Sequence, residues 1–180
     1  PLAEKNWQPQ GLQEKKGHFR IWYAKTGPAR FLSQLELQSL FERALRRADI
    51  PLSFSAGFHP MPLLSFGPAL PVGVQSRAEW FNVFVRQSDL QPEAFKHNLD
   101  HQFPQGLKVY QVQELGLGKR QAQAVAEEFE LEFHVGAEQA ASWQEHLHTV
   151  LAQAQIPWER KTKRRGWQVE DARPFFEHVH

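Results

Sequence analysis

Residues 25–76 read KTGPARFLSQLELQSLFERALRRADIPLSFSAGFHPMPLLSFGPALPVGVQS. Ser33 followed by Glu36 is the S-x-x-E capping box, in which the hydroxyl accepts from the third helical amide and the carboxylate reaches back. It predicts a helix over Ser33 to Ala48. Leu37, Leu40, Phe41, Ala44, Leu45 and Ala48 recur at the helical period and form one apolar stripe. Glu36, Arg43, Arg46 and Arg47 fall on the opposite side, where the arginines also suit the negative helix end. Taken alone, such a run is a solvated face. Asp49, Ile50 and Pro51 end the helix, because the residue before proline is pushed out of the helical region. Leu52 to Ser55 alternates like a short strand. Beyond it, Gly57, Pro60, Pro62, Gly67, Pro68, Pro71 and Gly73 punctuate an irregular stretch of about twenty residues, a length that tends to be functional. A loop stiffened by proline holds side chains such as Phe58, His59 and Phe66 in place at low entropic cost, as a recognition surface requires.

On either side of this stretch, strands are expected at Phe19 to Ala24 and at Trp80 to Arg86, where Phe81, Val83 and Val85 alternate with Trp80, Asn82 and Phe84. A helix over Pro92 to His101 and a strand over Leu107 to Gln113 complete the order β-α-β-β-α-β. That is the ferredoxin-like split βαβ unit of an α+β protein. Gly116-Leu117-Gly118 marks a boundary. A strand at Phe129 to Val135, a helix at Glu138 to Gln155 and strands at Pro157 to Lys161 and Trp167 to Glu170 follow, a partial second ferredoxin-like half. The organisation expected is a polar arm or linker (1–17), a first half (18–115) and a second half (119–176). Tandem halves of this kind resemble the CRISPR repeat-processing ribonucleases and related RNA-binding proteins.

At 41% hydrophobic and 12% aromatic content, 180 residues are enough to bury a core. Cysteine is absent, which excludes disulfides, thiolate zinc sites and a Cys-ligated iron–sulfur cluster in this chain. No apolar run approaches membrane-spanning length and no signal peptide is visible, so a cytoplasmic location is expected. The first residue is Pro1, so the chain is expected to be trimmed, processed or cut from something longer. The net charge of +1 carries no information about a nucleic-acid partner.

Charge distribution carries more. Arg160, Lys161, Lys163, Arg164 and Arg165 lie between Trp158 and Trp167, around a turn at Gly166. A basic turn flanked by aromatics suits phosphate contact and base stacking. It equally suits a solvated hairpin tip whose tryptophans belong to the core. The histidines make poor metal ligands. His97 and His101 lack a third ligand beside Asp100, and His146 and His148 point apart on a helix. Neither a phosphate-cradling P-loop nor a G-x-S-x-G elbow is present.

KTGP (25–28), RFLS (30–33), ERALRRA (42–48), GFHP (57–60) and SFGPALPVG (65–73) resemble the radical-SAM-linked bacterial protein family, and KTK (161–163) to Gly166 and Val169 to Pro174 resemble its closing basic segment. The resemblance spans about residues 18 to 176. The family usually has His-Leu-Asp where this chain has Gln34, Leu35 and Glu36, and a basic residue or His at Met61. The resemblance implies a domain found beside, or fused behind, a cobalamin-binding radical SAM protein. SAM, the iron–sulfur cluster and cobalamin then belong to that partner, and this chain carries no cofactor or metal of its own. The expected function is an accessory, substrate-presenting domain that binds RNA such as tRNA or rRNA. Its candidate contact residues are Lys25, Arg30, Arg43, Arg46, Arg47, Phe58, His59, Phe66, Lys161, Lys163, Arg164 and Arg165. The rivals are a metal-independent endoribonuclease using His59 as general acid or base, with Lys25 and Arg30 as cationic support, and a protein–protein adaptor.

Overall fold

The computed structural model describes residues 11–118, 128–130, 132, 134–162 and 164–176. The chain divides into two compact units, Pro1–Ala122 and Gln123–His180. The first contains β1 (Gly17–Lys25), α1 (Gln34–Arg47), β2 (Leu64–Phe66), β3 (Ser76–Val85), α2 (Pro92–Asp100) and β4 (Leu107–Leu115). Its sheet runs β2-β3-β1-β4 with every neighbouring pair antiparallel. β3 thus lies between β1 and β2, the two strands that α1 joins, which is the ferredoxin-like arrangement. The second unit contains α3 (Ala137–Leu151) and a hairpin of β5 (Pro157–Thr162) and β6 (Gly166–Asp171).

The capping box at Ser33 is present. The Ser33 hydroxyl accepts from the Glu36 amide, and the Glu36 carboxylate accepts from the Ser33 amide at 2.8 Å. Glu36, one of the two positions where the chain departs from the His-Leu-Asp pattern, is therefore committed to starting the helix. α1 buries Leu37, Phe41, Ala44 and Leu45 in the same core as Phe19, Ile21 and Tyr23 of β1 and Phe81 and Val83 of β3. α2 adds Phe95 and Leu99, and Phe95 meets the Phe19 ring edge-on at 5.4 Å.

The short strand expected at Leu52 to Ser55 is replaced by two isolated bridges, Leu52 to Val85 and Phe54 to Pro62. The edge strand is Leu64–Phe66, inside the segment read as loop. Prolines explain the exchange. Pro51 and Pro62 have no amide to donate, so neither flank extends into a regular ladder. The edge of β3 is covered in two pieces: the Ser53 amide donates to the Phe84 carbonyl, and Leu64 to Phe66 pair with Val83 to Phe81. The arm expected over residues 1–17 is partly docked. The Lys16 amide donates to Val85, Leu12 accepts from Phe54, and Gly17 already belongs to β1. Of the strand expected at Phe129 to Val135, the described residues show none; residues 131 and 133 lie outside the described set. Among the described residues no helix is long and apolar enough to cross a membrane.

The sheet face opposite the core carries three cross-strand pairs, His18 with Phe84, Arg20 with Asn82 and Trp22 with Trp80. Arg20 donates to Asn82 Oδ1 at 3.0 Å and its guanidinium lies 4.1 Å above the Trp80 ring. His18 stacks on Phe84 at 4.0 Å, and its buried Nδ1 has no hydrogen-bond partner among the described residues. Burial, followed by the nearby positive charges of Arg20 and Lys15, holds the His18 pKa below the ordinary value. Folding therefore favours the neutral ring, and the unfolded chain takes up the proton first as pH falls. Stability from this group is complete above pH ~6.5 and is lost as the pH drops from there through the depressed folded value. The urea midpoint of the first unit is expected to fall between about pH 7 and pH 5. His18→Phe should flatten that dependence, and an unchanged slope in the variant would reject the assignment.

Candidate nucleic-acid interface

The basic turn closes the β5–β6 hairpin of the second unit. Thr162 Oγ1 accepts from the Arg165 amide at 3.1 Å, and Gly166 adopts φ +69°, so the chain reverses in a tight turn. The register pairs Lys161 with Trp167 and Trp158 with Glu170. Alternation then places Trp158 and Arg160 on one face, Lys161 and Trp167 on the other. Neither tryptophan is in a core: Trp158 is 47% exposed and Trp167 70%. Each has a cation beside it, Arg160 at 5.9 Å from the Trp158 ring and Lys161 at 5.8 Å from the Trp167 ring. The acids sit at the open end. Glu170 makes an exposed ion pair with Arg160 at 3.6 Å, and Asp171 accepts from the Ile156 and Arg173 amides. The tip is left with exposed Arg164 and Arg165. Lys163 lies outside the described residues.

On α1, Arg43, Arg46 and Arg47 are exposed, as the helical period requires. Arg47 is partly committed, donating to the side chain and carbonyl of Gln102. Arg43 donates to Ser39 one turn back at 3.2 Å. These arginines and the hairpin cations belong to different units. The loop holding His59 is closed at its base, where the Ser55 amide donates to Met61 and the Met61 amide donates to the Ser55 hydroxyl. Its tip projects Phe58, 89% exposed, and an exposed His59. No hydrogen bond joins the His59 ring to another described residue. Phe66 points the other way: its ring stacks on Phe41 at 5.8 Å and on Phe81 at 5.4 Å, against the core.

Lys25 and Arg30 lie at the end of β1 and in the 3-10 turn that follows it, Gly27–Phe31. Three loops are tied together there. Thr26 donates to the Gly106 carbonyl at 2.7 Å, Gly73 donates to the Arg30 carbonyl at 2.8 Å, and Gly27 donates to Gln75 Oε1 at 2.7 Å. Gly106, at φ +93°, has no room for a Cβ against the Thr26 carbonyl and Ala29. Lys25 and Arg30 each bury a nitrogen that has no hydrogen-bond partner among the described residues. Burial holds the Lys25 ammonium below its ordinary pKa, opposed by the Glu79 carboxylate.

Gln75, Gly106 and Glu79 were not legible as partners of Gly27, Thr26 and Lys25, since 50 to 81 residues separate them from Lys25 in sequence. The aromatic and polar pairs on the outer sheet face were equally hidden, although the alternation of Trp80, Asn82 and Phe84 was visible. Among the described residues no group of three or more His, Asp or Glu side chains gathers to hold a metal.

No curated protein and no solved structure is found to match this chain. The model of the family described as "Uncharacterized protein conserved in bacteria (DUF2344)" matches residues 18–180, all but the first seventeen, and the chain belongs to that bacterial family.

Proposed function

We propose that this chain is a cytoplasmic RNA-binding accessory domain that presents tRNA or rRNA to a radical SAM protein, supplied in trans or fused upstream. The observation that carries the RNA reading is the β5–β6 hairpin, which sets an exposed indole beside a cation on each face and ends in a cationic tip. An isolated two-stranded hairpin is marginally stable in water. Stacked bases cover exposed indoles, and phosphates pair with the exposed cations of the tip. The partner is inferred from the resemblance of residues 25–76 to the radical-SAM-linked family. SAM, the iron–sulfur cluster and cobalamin are assigned to that partner, because this chain has no cysteine to ligate a cluster.

The adaptor reading draws on a different observation. On α3, Leu147 and Val150 are exposed at helical spacing, a face suited to an apolar protein partner. The two readings are compatible, with the hairpin for RNA and the helix for protein. The nuclease reading needs a second proton-exchanging group beside His59, and none of the described residues hydrogen-bonds to its ring. Purified chain incubated with total tRNA and rRNA in EDTA is expected to leave the RNA intact, and His59→Ala to alter binding more than any turnover. Cleavage at a defined site that vanishes in His59→Ala would overturn the accessory role.

A further inference from the structure

We propose that the turn from Lys25 to Arg30 is a binding site for a phosphate group, taken up by Lys25 Nζ, Arg30 Nε and the Gly27 amide. Lys25 is 1% exposed and its ammonium has no hydrogen-bond partner among the described residues. A buried, unpartnered ammonium costs free energy that an apolar side chain of the same length would not. Arg30 Nε is buried under the same condition, while its guanidinium lies 4.7 Å from the exposed Phe31 ring. The third donor is already occupied by an oxygen: Gln75 Oε1 accepts from the Gly27 amide at 2.7 Å, in an exposed contact. That carboxamide oxygen sits where an anionic oxygen would, and an exposed glutamine side chain is easily displaced. The bonds from Thr26 to Gly106 and from Gly73 to Arg30 brace the turn from both sides. The Glu79 carboxylate acts on Lys25, and its attraction is outweighed by the burial of the ammonium. A phosphate offers enough oxygens for three donors, each bond charge-assisted, where a carboxylate offers two. Charge recognition on the hairpin is not needed for this site.

The test is calorimetric titration of the full chain with sodium phosphate against sodium chloride at equal ionic strength. Saturable phosphate binding is expected, weakened about tenfold or more in Lys25→Met. Ligand-free Lys25→Met should melt at a higher temperature than the parent chain, which shows the variant folded. Gln75→Ala, which frees the Gly27 amide, should bind phosphate at least as tightly as the parent. A second arm compares 5′-phosphorylated with 5′-hydroxyl oligoribonucleotides. A preference of about tenfold for the phosphorylated end, abolished by Lys25→Met, assigns the phosphate to an RNA terminus. Phosphate binding without that preference assigns it to a small phosphorylated ligand. Absence of both, or a Lys25→Met chain that melts lower while phosphate binding is unchanged, overturns the proposal. Substitutions at Trp158 and Trp167 should leave phosphate binding intact, so failure of the RNA reading and failure of this one are read separately.

Discussion

Phe41→Ala is expected to cost about 3–5 kcal/mol of folding free energy. Phe41 is fully buried and is the ring on which the core converges. Tyr23 meets it edge-on at 4.8 Å, Phe81 stacks at 4.8 Å, and Phe103 and Phe66 approach at 5.0 and 5.8 Å. Truncation leaves a cavity walled by sheet, helix and loop, which no single neighbour can fill by relaxing. Against a typical total of about 5–15 kcal/mol, this brings the unit close to unfolding at ordinary temperature. Leu40 is only partly buried against the same core, so Leu40→Ala should cost visibly less. Urea titrations of both variants decide the matter. A Phe41→Ala midpoint within error of the parent would mean that α1 does not pack on the sheet.

The largest functional effect is expected from the hairpin. Trp158→Ala and Trp167→Ala should each remove about 1–3 kcal/mol of stacking, so the double variant loses RNA affinity by about thirtyfold or more. Arg164→Glu with Arg165→Glu should weaken binding further at low salt. It should also lower the slope of log affinity against log salt by about one for each phosphate no longer neutralised. The melting temperature should barely move, because these side chains are exposed and belong to no core. Arg46→Glu tests α1 separately; Arg46 is the cleaner choice, since Arg47 is hydrogen-bonded to Gln102. Fluorescence anisotropy with labelled tRNA and rRNA fragments, repeated across salt concentrations, gives both numbers. No binding at low salt, or binding independent of salt, would remove RNA and leave α3 and the adaptor reading.

Local chemistry was legible wherever a short range of residues suffices to determine it. The capping box needs only residues three apart, and the apolar stripe of α1 only the helical period. The β5–β6 turn was visible because Gly166 and the flanking tryptophans lie within ten residues. The misreading at Leu52 to Ser55 has the opposite origin. Alternation there is real, and Ser53 and Leu52 do touch β3, but Pro51 and Pro62 deny the ladder its donors. Leu64 to Phe66, with no visible alternation signal of its own, takes the edge because it reaches β3 two pairs further along.

Phe66 shows the limit most plainly. A phenylalanine in a glycine- and proline-rich loop reads as a display residue, yet the register of Phe66 against Phe81 turns its ring onto Phe41. Phe58, eight residues earlier in the same kind of sequence, is displayed. Composition cannot separate them, because the difference is which strand each residue meets. The order of elements, the ferredoxin-like connectivity of the first unit, the helix start at Ser33 and the basic, aromatic character of the hairpin are properties of neighbours in the chain, and the amino-acid sequence alone carries them. Three other features emerge only once the chain is folded: the hairpin tryptophans are exposed, Arg47 is hydrogen-bonded to Gln102, and Lys25 and Arg30 bury nitrogens with no hydrogen-bond partner among the described residues. Burial and hydrogen-bond satisfaction depend on what long-range pairing brings within a few ångströms, and no local pattern encodes that.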